Sequence, residues 1–254
     1  MSSDGREQLA EGSLISHLVE LRERLLRAVI AVIILFVPCV LVQDQLFTLV
    51  ATPLIERMPQ GTSMIATSPV APVMVPLKLA FMAAVFLAMP YVLYQAWAFV
   101  APGLYKNEKR FAIPLVVSSI VLFYAGIAFA YFIVFPLMFT FLTTTAPQGV
   151  QMMTDMANYL DFILLLFFAF GVAFEIPVAT VLLASTGMVR IETMTKNRGY
   201  VILGIFVIAA FLTPPDAISQ SFMAIPMYLL YEIGIVLSRL LLKERAKQQG
   251  ADVA

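Results

Sequence analysis

Uncharged apolar runs of about 20 residues, long enough to cross a bilayer as a helix, recur along the chain. The first covers about 25–42, with Arg27 near enough to its end to snorkel. A second lies within 79–105, and a third begins near Phe111 and continues past Leu142. The fourth covers about 159–187, with Glu175 near its middle. A fifth, 199–212, is short, and the run Thr213-Pro214-Pro215-Asp216 breaks the chain before a sixth at about 217–237. This pattern predicts an all-α polytopic membrane protein with six transmembrane helices. Between the first two runs, Leu46, Leu49, Val50 and Leu54 repeat at helical spacing, which predicts a short amphipathic helix along the interface. That helix falls in a charge-poor stretch, 44–77, carrying Pro53, Pro59, Pro69, Pro72 and Pro76. With a second polar loop at 143–158 it is expected to cap one face. No tandem or inverted repeat is evident. The reading is a single membrane domain over 1–254: an amphipathic N-terminus at 1–23, six helices within 24–240, and a polar tail at 241–254 that frays from about Lys243.

Composition fixes the solvent. Apolar residues make up 61% of the 254 and charged residues 13%, against about 45–50% and 25% in soluble domains. No water-soluble core of this size buries that excess, so a soluble enzyme is excluded. Sixteen basic and sixteen acidic residues cancel, so nothing in the charge argues for nucleic acid. One cysteine, Cys39, and one histidine, His17, leave no internal disulfide or multi-histidine metal motif. No phosphate loop and no H-E-x-x-H appears, so neither enzyme chemistry nor a cofactor is expected. Orientation follows from Lys and Arg. Fourteen of the sixteen fall in the N-terminus, the second–third and fourth–fifth loops and the tail, leaving Arg57 and Lys78. Both termini are therefore expected in the cytoplasm. The first 23 residues are too mixed in charge for a signal peptide, so helix one is expected in the mature protein.

Few polar residues have a depth or spacing that suggests chemistry. An ionised carboxylate at the position of Glu175 costs about 2.5–3.5 kcal/mol, so it should be neutral, hydrogen-bonded or turned to a wet concavity. Pro177 beside it removes a backbone donor and predicts a kink. Glu20 sits in Ser16-His17-Leu18-Val19-Glu20-Leu21-Arg22-Glu23-Arg24-Leu25-Leu26, where Glu20–Arg24 and Glu23–Arg27 are i,i+4 pairs. A solvated helix face explains them as readily as a site does, and His17 reads as an isolated imidazole at a helix start. Glu108, alone among Lys106, Lys109 and Arg110, fits a charge-balanced turn. Either glutamate also suits a guanidinium partner. Asp216 has the placing of an N-cap, and Glu232 is expected to pair with Arg239. Pro53, Pro90, Pro114, Pro136 and Pro226 read as bends. The fourteen residues of 199–212 reach only about 21 Å against roughly 30 Å of hydrocarbon. Helix six is little longer between Asp216 and Glu232. Local bilayer thinning and an inward shift of flanking polar residues both account for this.

Taken together these motifs resemble a known family. The Ser16–Leu26 segment quoted above, Trp97-Ala98-Phe99-Val100-Ala101-Pro102-Gly103-Leu104-Tyr105 with Glu108, the run Phe170-Gly171-Val172-Ala173-Phe174-Glu175-Ile176-Pro177, and Leu212-Thr213-Pro214-Pro215-Asp216 are similar to TatC, the large subunit of the twin-arginine protein translocase. The similarity spans about 13–240; the loop 186–195 departs from the pattern without touching a named residue. The resemblance implies a concave, glove-like bundle with a periplasmic cap in the bacterial inner membrane. It implies a receptor that binds twin-arginine signal peptides of folded cargo and exports that cargo on the proton-motive force. Its partners would be TatA- and TatB-like single-span subunits, membrane lipid and further copies of itself. By position, Glu20 and Glu108 match the family's peptide-binding glutamates; Phe99, which matches the aromatic before the loop, and Arg22, in the same N-terminal motif, are expected to bind the signal peptide with them. Glu175 matches the intramembrane polar, partner-binding position. Pro53, Tyr131 and Asp216 match outer-face positions tied to assembly or transport. The competing reading from another class is a proton-coupled small-solute carrier using Glu175.

Overall fold

The computed structural model describes residues 3–55, 64–100, 109–144, 154–213 and 217–251. Their regular structure is helical: α1 Ser3–Leu41, α2 Gln43–Ile55, α3 Ala71–Val100, α4 Lys109–Phe129, a π-helical turn at Ala130–Val134, α5 Phe135–Thr144, α6 Met156–Ala173, α7 Ile176–Ser185, α8 Ile191–Lys196, α9 Arg198–Leu212 and α10 Ala217–Ala251. One isolated bridge, Ile65 with Asp155, is the exception among the described residues. Five apolar helices are long enough to span a membrane, at Ser16–Leu41, Ala71–Phe99, Ile113–Phe141, Met156–Ser185 and Ala217–Lys243. The sixth expected span, α9, has 15 residues and reaches about 22 Å. Large apolar side chains face outward along these helices, as at Ile34, Val37 and Phe211, which is the surface a lipid solvent allows.

Two compact units emerge, Met1–Val50 with Pro72–Ile120, and Ala51–Ala71 with Val121–Ala254. In the first, α1 and α3 meet through small residues. Cys39, Ala80 and Ala84 are buried together, with Leu35, Phe36 and Leu46 around them. Small side chains let backbones approach closely, which is the main source of helix association in lipid. The predicted amphipathic helix is α2, and Leu46 anchors it to this cluster.

In the second unit, proline and glycine set the geometry. Pro136 has no N–H to give to a carbonyl four residues back. The chain takes a π-helical turn just before it, where the Phe135 N–H reaches Ala130. Pro177 acts the same way on Ala173: α6 ends there, and α7 restarts at Ile176 after Phe174 and Glu175. The predicted kink is thus a break. Gly171 lies against the ring of Phe123, where an added Cβ would stand 2.6 Å from Cε2. Gly234 of α10 lies equally tight on Thr180 and on Pro177 Cα of α7. Two expectations need correction. Glu232 does not shorten the last helix, because α10 runs 35 residues. The tail from Lys243 is helical to Ala251, its Lys, Glu, Arg, Ala and Gln being good helix formers. In addition, α1 is continuous from Ser3, so the N-terminal helix runs directly into the first span.

Candidate functional site

One polar constellation forms where the N-terminal half of α1 meets the C-terminal end of α3. Glu20 accepts from Arg24 Nε at 2.9 Å and from Nη2 at 2.7 Å, both on Oε1. Arg24 Nη1 donates to Gln95 Oε1 at 3.2 Å, and Gln95 is buried. The i,i+4 pair expected on a solvated face is therefore held against a neighbouring helix. Among the described residues Oε2 of Glu20 takes no side-chain donor, and the side chain keeps 37% of its surface exposed. One turn earlier, His17 stacks on Phe99 with centroids 4.2 Å apart and planes 17° off parallel. Two residues before Phe99, the Trp97 indole donates to the buried Ser119 hydroxyl of α4 at 2.7 Å. This end of α3 is thus fixed on two sides.

Arg22 does not join the constellation. It is exposed, and two residues of helix turn it about 200° from Glu20. Glu23 does pair with Arg27, at 3.5 Å and largely exposed, so that pair adds only a few tenths of a kcal/mol. Glu108 and Asp216 lie outside the described residues. Pro53 falls within α2, and its side chain is likewise outside them.

Deep in the second unit, Glu175 occupies the break between α6 and α7. It is the residue before the first turn of α7, with both carboxylate oxygens buried. Its carbonyl accepts from Ala179 at 2.9 Å, so the backbone restarts as a helix at this residue. Tyr131 sits in the π-helical turn, its ring 6.1 Å from that of Phe167 on α6.

Several features depart from the sequence reasoning or lie outside it. Glu232 pairs with Arg198 at 2.6 Å, not with Arg239, and accepts from the Tyr228 hydroxyl at 2.7 Å. Arg239 turns to the Thr195 hydroxyl at 2.9 Å. The spacing on one helix pointed to Arg239, but the tertiary fold of α9 onto α10 supplies a nearer cation. Asp161 is a second carboxylate in the fourth span, exposed near the start of α6. Asp155 caps α6, accepting from the Ala157 and Asn158 amides at 3.0 and 2.9 Å. It also ties down the segment before α3, accepting from Thr67 Oγ1 at 2.6 Å and Thr67 N at 3.0 Å. The Thr67 hydroxyl and these amides lower its pKa from 3.8 to about 2. Asp three residues before Asn158 and the apolar run was a readable N-cap signal; Thr67, 88 residues away, was not.

The family model of TatC, described as Sec-independent protein translocase protein, matches residues 16–226. The chain belongs to the TatC family. It is 54% identical over 226 residues to the Sec-independent protein translocase protein TatC of Escherichia coli K12, covering 89% of this chain and 88% of that one. The Helicobacter pylori J99 TatC is 37% identical over 224 residues, covering 88% of each. A crystal structure of TatC, named as a twin arginine translocase receptor, superposes with TM-score 0.81 at 38% identity, over 88% of this chain and 98% of that one. As a TatC protein the chain is a membrane-embedded, multi-pass component of the Tat protein translocase and not an enzyme. This membership settles the choice between the two classes: protein transport, not small-solute carriage.

Proposed function

We propose that this chain is the receptor of the translocase, holding the paired arginines of a twin-arginine signal peptide with Glu20 and Glu108. The observation that carries the reading is Glu20 itself. Arg24, anchored on Gln95, fixes its rotamer through one carboxylate oxygen and leaves the other to accept. A carboxylate so held gives up little side-chain entropy on meeting a guanidinium. The His17–Phe99 stack one turn away supplies a flat apolar wall on which the residues beside the arginines rest. Arg22, pointing away from Glu20, contributes to the field around the site and makes no contact with the peptide's arginines.

Further elements of the reading follow the family resemblance. The chain lies in the bacterial inner membrane with both termini cytoplasmic. It works with TatA- and TatB-like single-span subunits and with further copies of itself, as one membrane domain. The proton-motive force drives export of folded cargo. Glu175 meets a polar residue on a partner's span, while Pro53, Tyr131 and Asp216 serve assembly or transport at the periplasmic face. The 15 residues of α9 thin the bilayer where cargo passes. The decisive experiment is direct binding of a twin-arginine signal peptide to the purified protein, with a twin-lysine peptide as control. Saturable binding of the first and roughly tenfold weaker binding of the second is the expected result. Equal affinity for both peptides overturns it.

A further inference from the structure

At the turn from α8 into α9, a recess opens against α10, lined by Ile191, Glu192, Thr195, Lys196 and Arg239. Its walls are fixed. Met194 of α8 is buried among Ala184, Tyr231 and Ile235, and its carbonyl accepts from the Tyr231 hydroxyl at 2.9 Å. That anchorage presents Thr195 and Lys196 to α10, where the Arg239 guanidinium donates to Thr195 Oγ1 at 2.9 Å. Of the acids on α10 whose side chains are described, Glu232 is already engaged by Arg198 and Tyr228. The lining thus has two cations against one acid, Glu192, and Lys243 stands exposed one turn beyond Arg239. Net charge in the recess is positive and small, which suits a monoanionic phosphodiester better than a polyanion.

Depth and surroundings identify the source of that phosphodiester. Lys196 comes two residues before α9, and Arg239 lies four residues from the end of the apolar span Ala217–Lys243. Both cations are therefore at the level where hydrocarbon gives way to headgroups. Beside them the helices expose apolar side chains: Val236 and Leu240 on α10, Tyr200 and Leu203 on α9, each at least half exposed. We propose that this recess binds the headgroup of an anionic phospholipid, with Lys196 and Arg239 on the phosphate, Thr195 as a neutral donor, and the acyl chains along α9 and α10. Basic pockets at helix ends are general recognition sites for such headgroups, at about one order of magnitude in affinity or less per cation.

Native mass spectrometry of the purified protein, delipidated and titrated with phosphatidylglycerol or phosphatidylcholine, reads the site. Phosphatidylglycerol is retained preferentially by the natural protein. The double substitution Lys196→Gln with Arg239→Gln retains it roughly tenfold or more weakly. Arg239→Lys, which keeps the charge, retains most of it, and Arg27→Gln, on an exposed cation of α1, changes nothing. A thermal melt of each variant separates lost binding from lost fold. Equal retention of the two lipids, or unchanged phosphatidylglycerol retention in a folded double variant, overturns the proposal. Displacement of the lipid by inorganic phosphate also overturns it, since the recess would then be a site for the free anion.

Discussion

Glu20→Gln separates a binding carboxylate from a structural one, because the two roles differ in size. The substitution keeps the shape and hydrogen-bonding capacity of the side chain but removes its charge. Arg24 still has its bond to Gln95, so the guanidinium is not stranded. What the fold loses is a partly exposed i,i+4 pair, with side chains 22% and 37% exposed, worth about 0.3–0.5 kcal/mol after solvent screening. What a bound peptide loses is one charge-assisted contact to arginine, about 1.5–3 kcal/mol, or roughly ten- to a hundredfold in affinity. Binding should therefore weaken several times more, in free energy, than stability does. Titration of a twin-arginine peptide into the purified protein gives the first quantity, and a thermal melt of the same sample gives the second. Because Glu20 is partly exposed, the binding loss should also shrink as salt rises. Unchanged affinity, or a binding loss no larger than the stability loss, would refute the assignment.

Three further outcomes are expected. Glu175→Gln keeps a hydrogen-bonding side chain at the helix break and should largely preserve partner crosslinking and export, whereas Glu175→Leu should weaken docking by about 1–2 kcal/mol; equal, complete loss in both would point to proton coupling instead. The Asp155 pKa is lowered in the fold, to about 2, so its contribution is fully present above the unfolded value of 3.8 and disappears as pH falls towards 2. Melts between about pH 5 and pH 2 should show that loss, and Asp155→Asn should remove this part of the slope. Gly234→Ala drives a Cβ into Thr180 and against Pro177 of α7, which should cost about 1–3 kcal/mol of stability; Thr180→Ala in the same chain should recover part of it, and a neutral Gly234→Ala would contradict the close approach.

What could be read in the sequence was whatever lipid imposes locally. Apolar runs of spanning length become helices because unsatisfied backbone is intolerable in hydrocarbon. Five of the expected spans therefore appear as helical stretches long enough to cross, the fourth broken at Glu175, and the remaining one appears as the shorter α9. Proline effects were legible at Pro136 and Pro177, which act on carbonyls four residues back, whereas Pro90, Pro114 and Pro226 stand inside α3, α4 and α10 without ending them. Partners across helices were not. Gln95 looks like one polar residue in an apolar run until Arg24 of another helix reaches it. His17 reads as isolated because nothing in the local spacing announces Phe99. Glu232 was matched to Arg239 by helical spacing, yet Arg198 comes closer from α9. In each case the missing information was which face of one helix meets which face of another: Ala80 and Ala84, four residues apart, mark the buried face of α3, but nothing local names Cys39 of α1 as its partner.

The break at Glu175 shows how a local rule and a tertiary contact combine. Pro177 alone ends α6 at Ala173, but it does not require the chain to restart at once. The restart is held by α10, where Gly234 has no side chain to keep Pro177 and Thr180 at a distance, and by the Thr180 hydroxyl donating back to the Pro177 carbonyl at 2.8 Å. Glu175 is thereby moved from mid-helix to a helix start, where its side chain makes no cap hydrogen bond but the positive end of the α7 dipole favours an accepting oxygen. Gln supplies such an oxygen and Leu does not. The contrast between those two substitutions is thus built into the break itself, and widening the α7–α10 contact through Gly234→Ala should blur it: if the carboxylate owes its setting to that contact, partner crosslinking in the Gly234→Ala background should fall even with Glu175 intact.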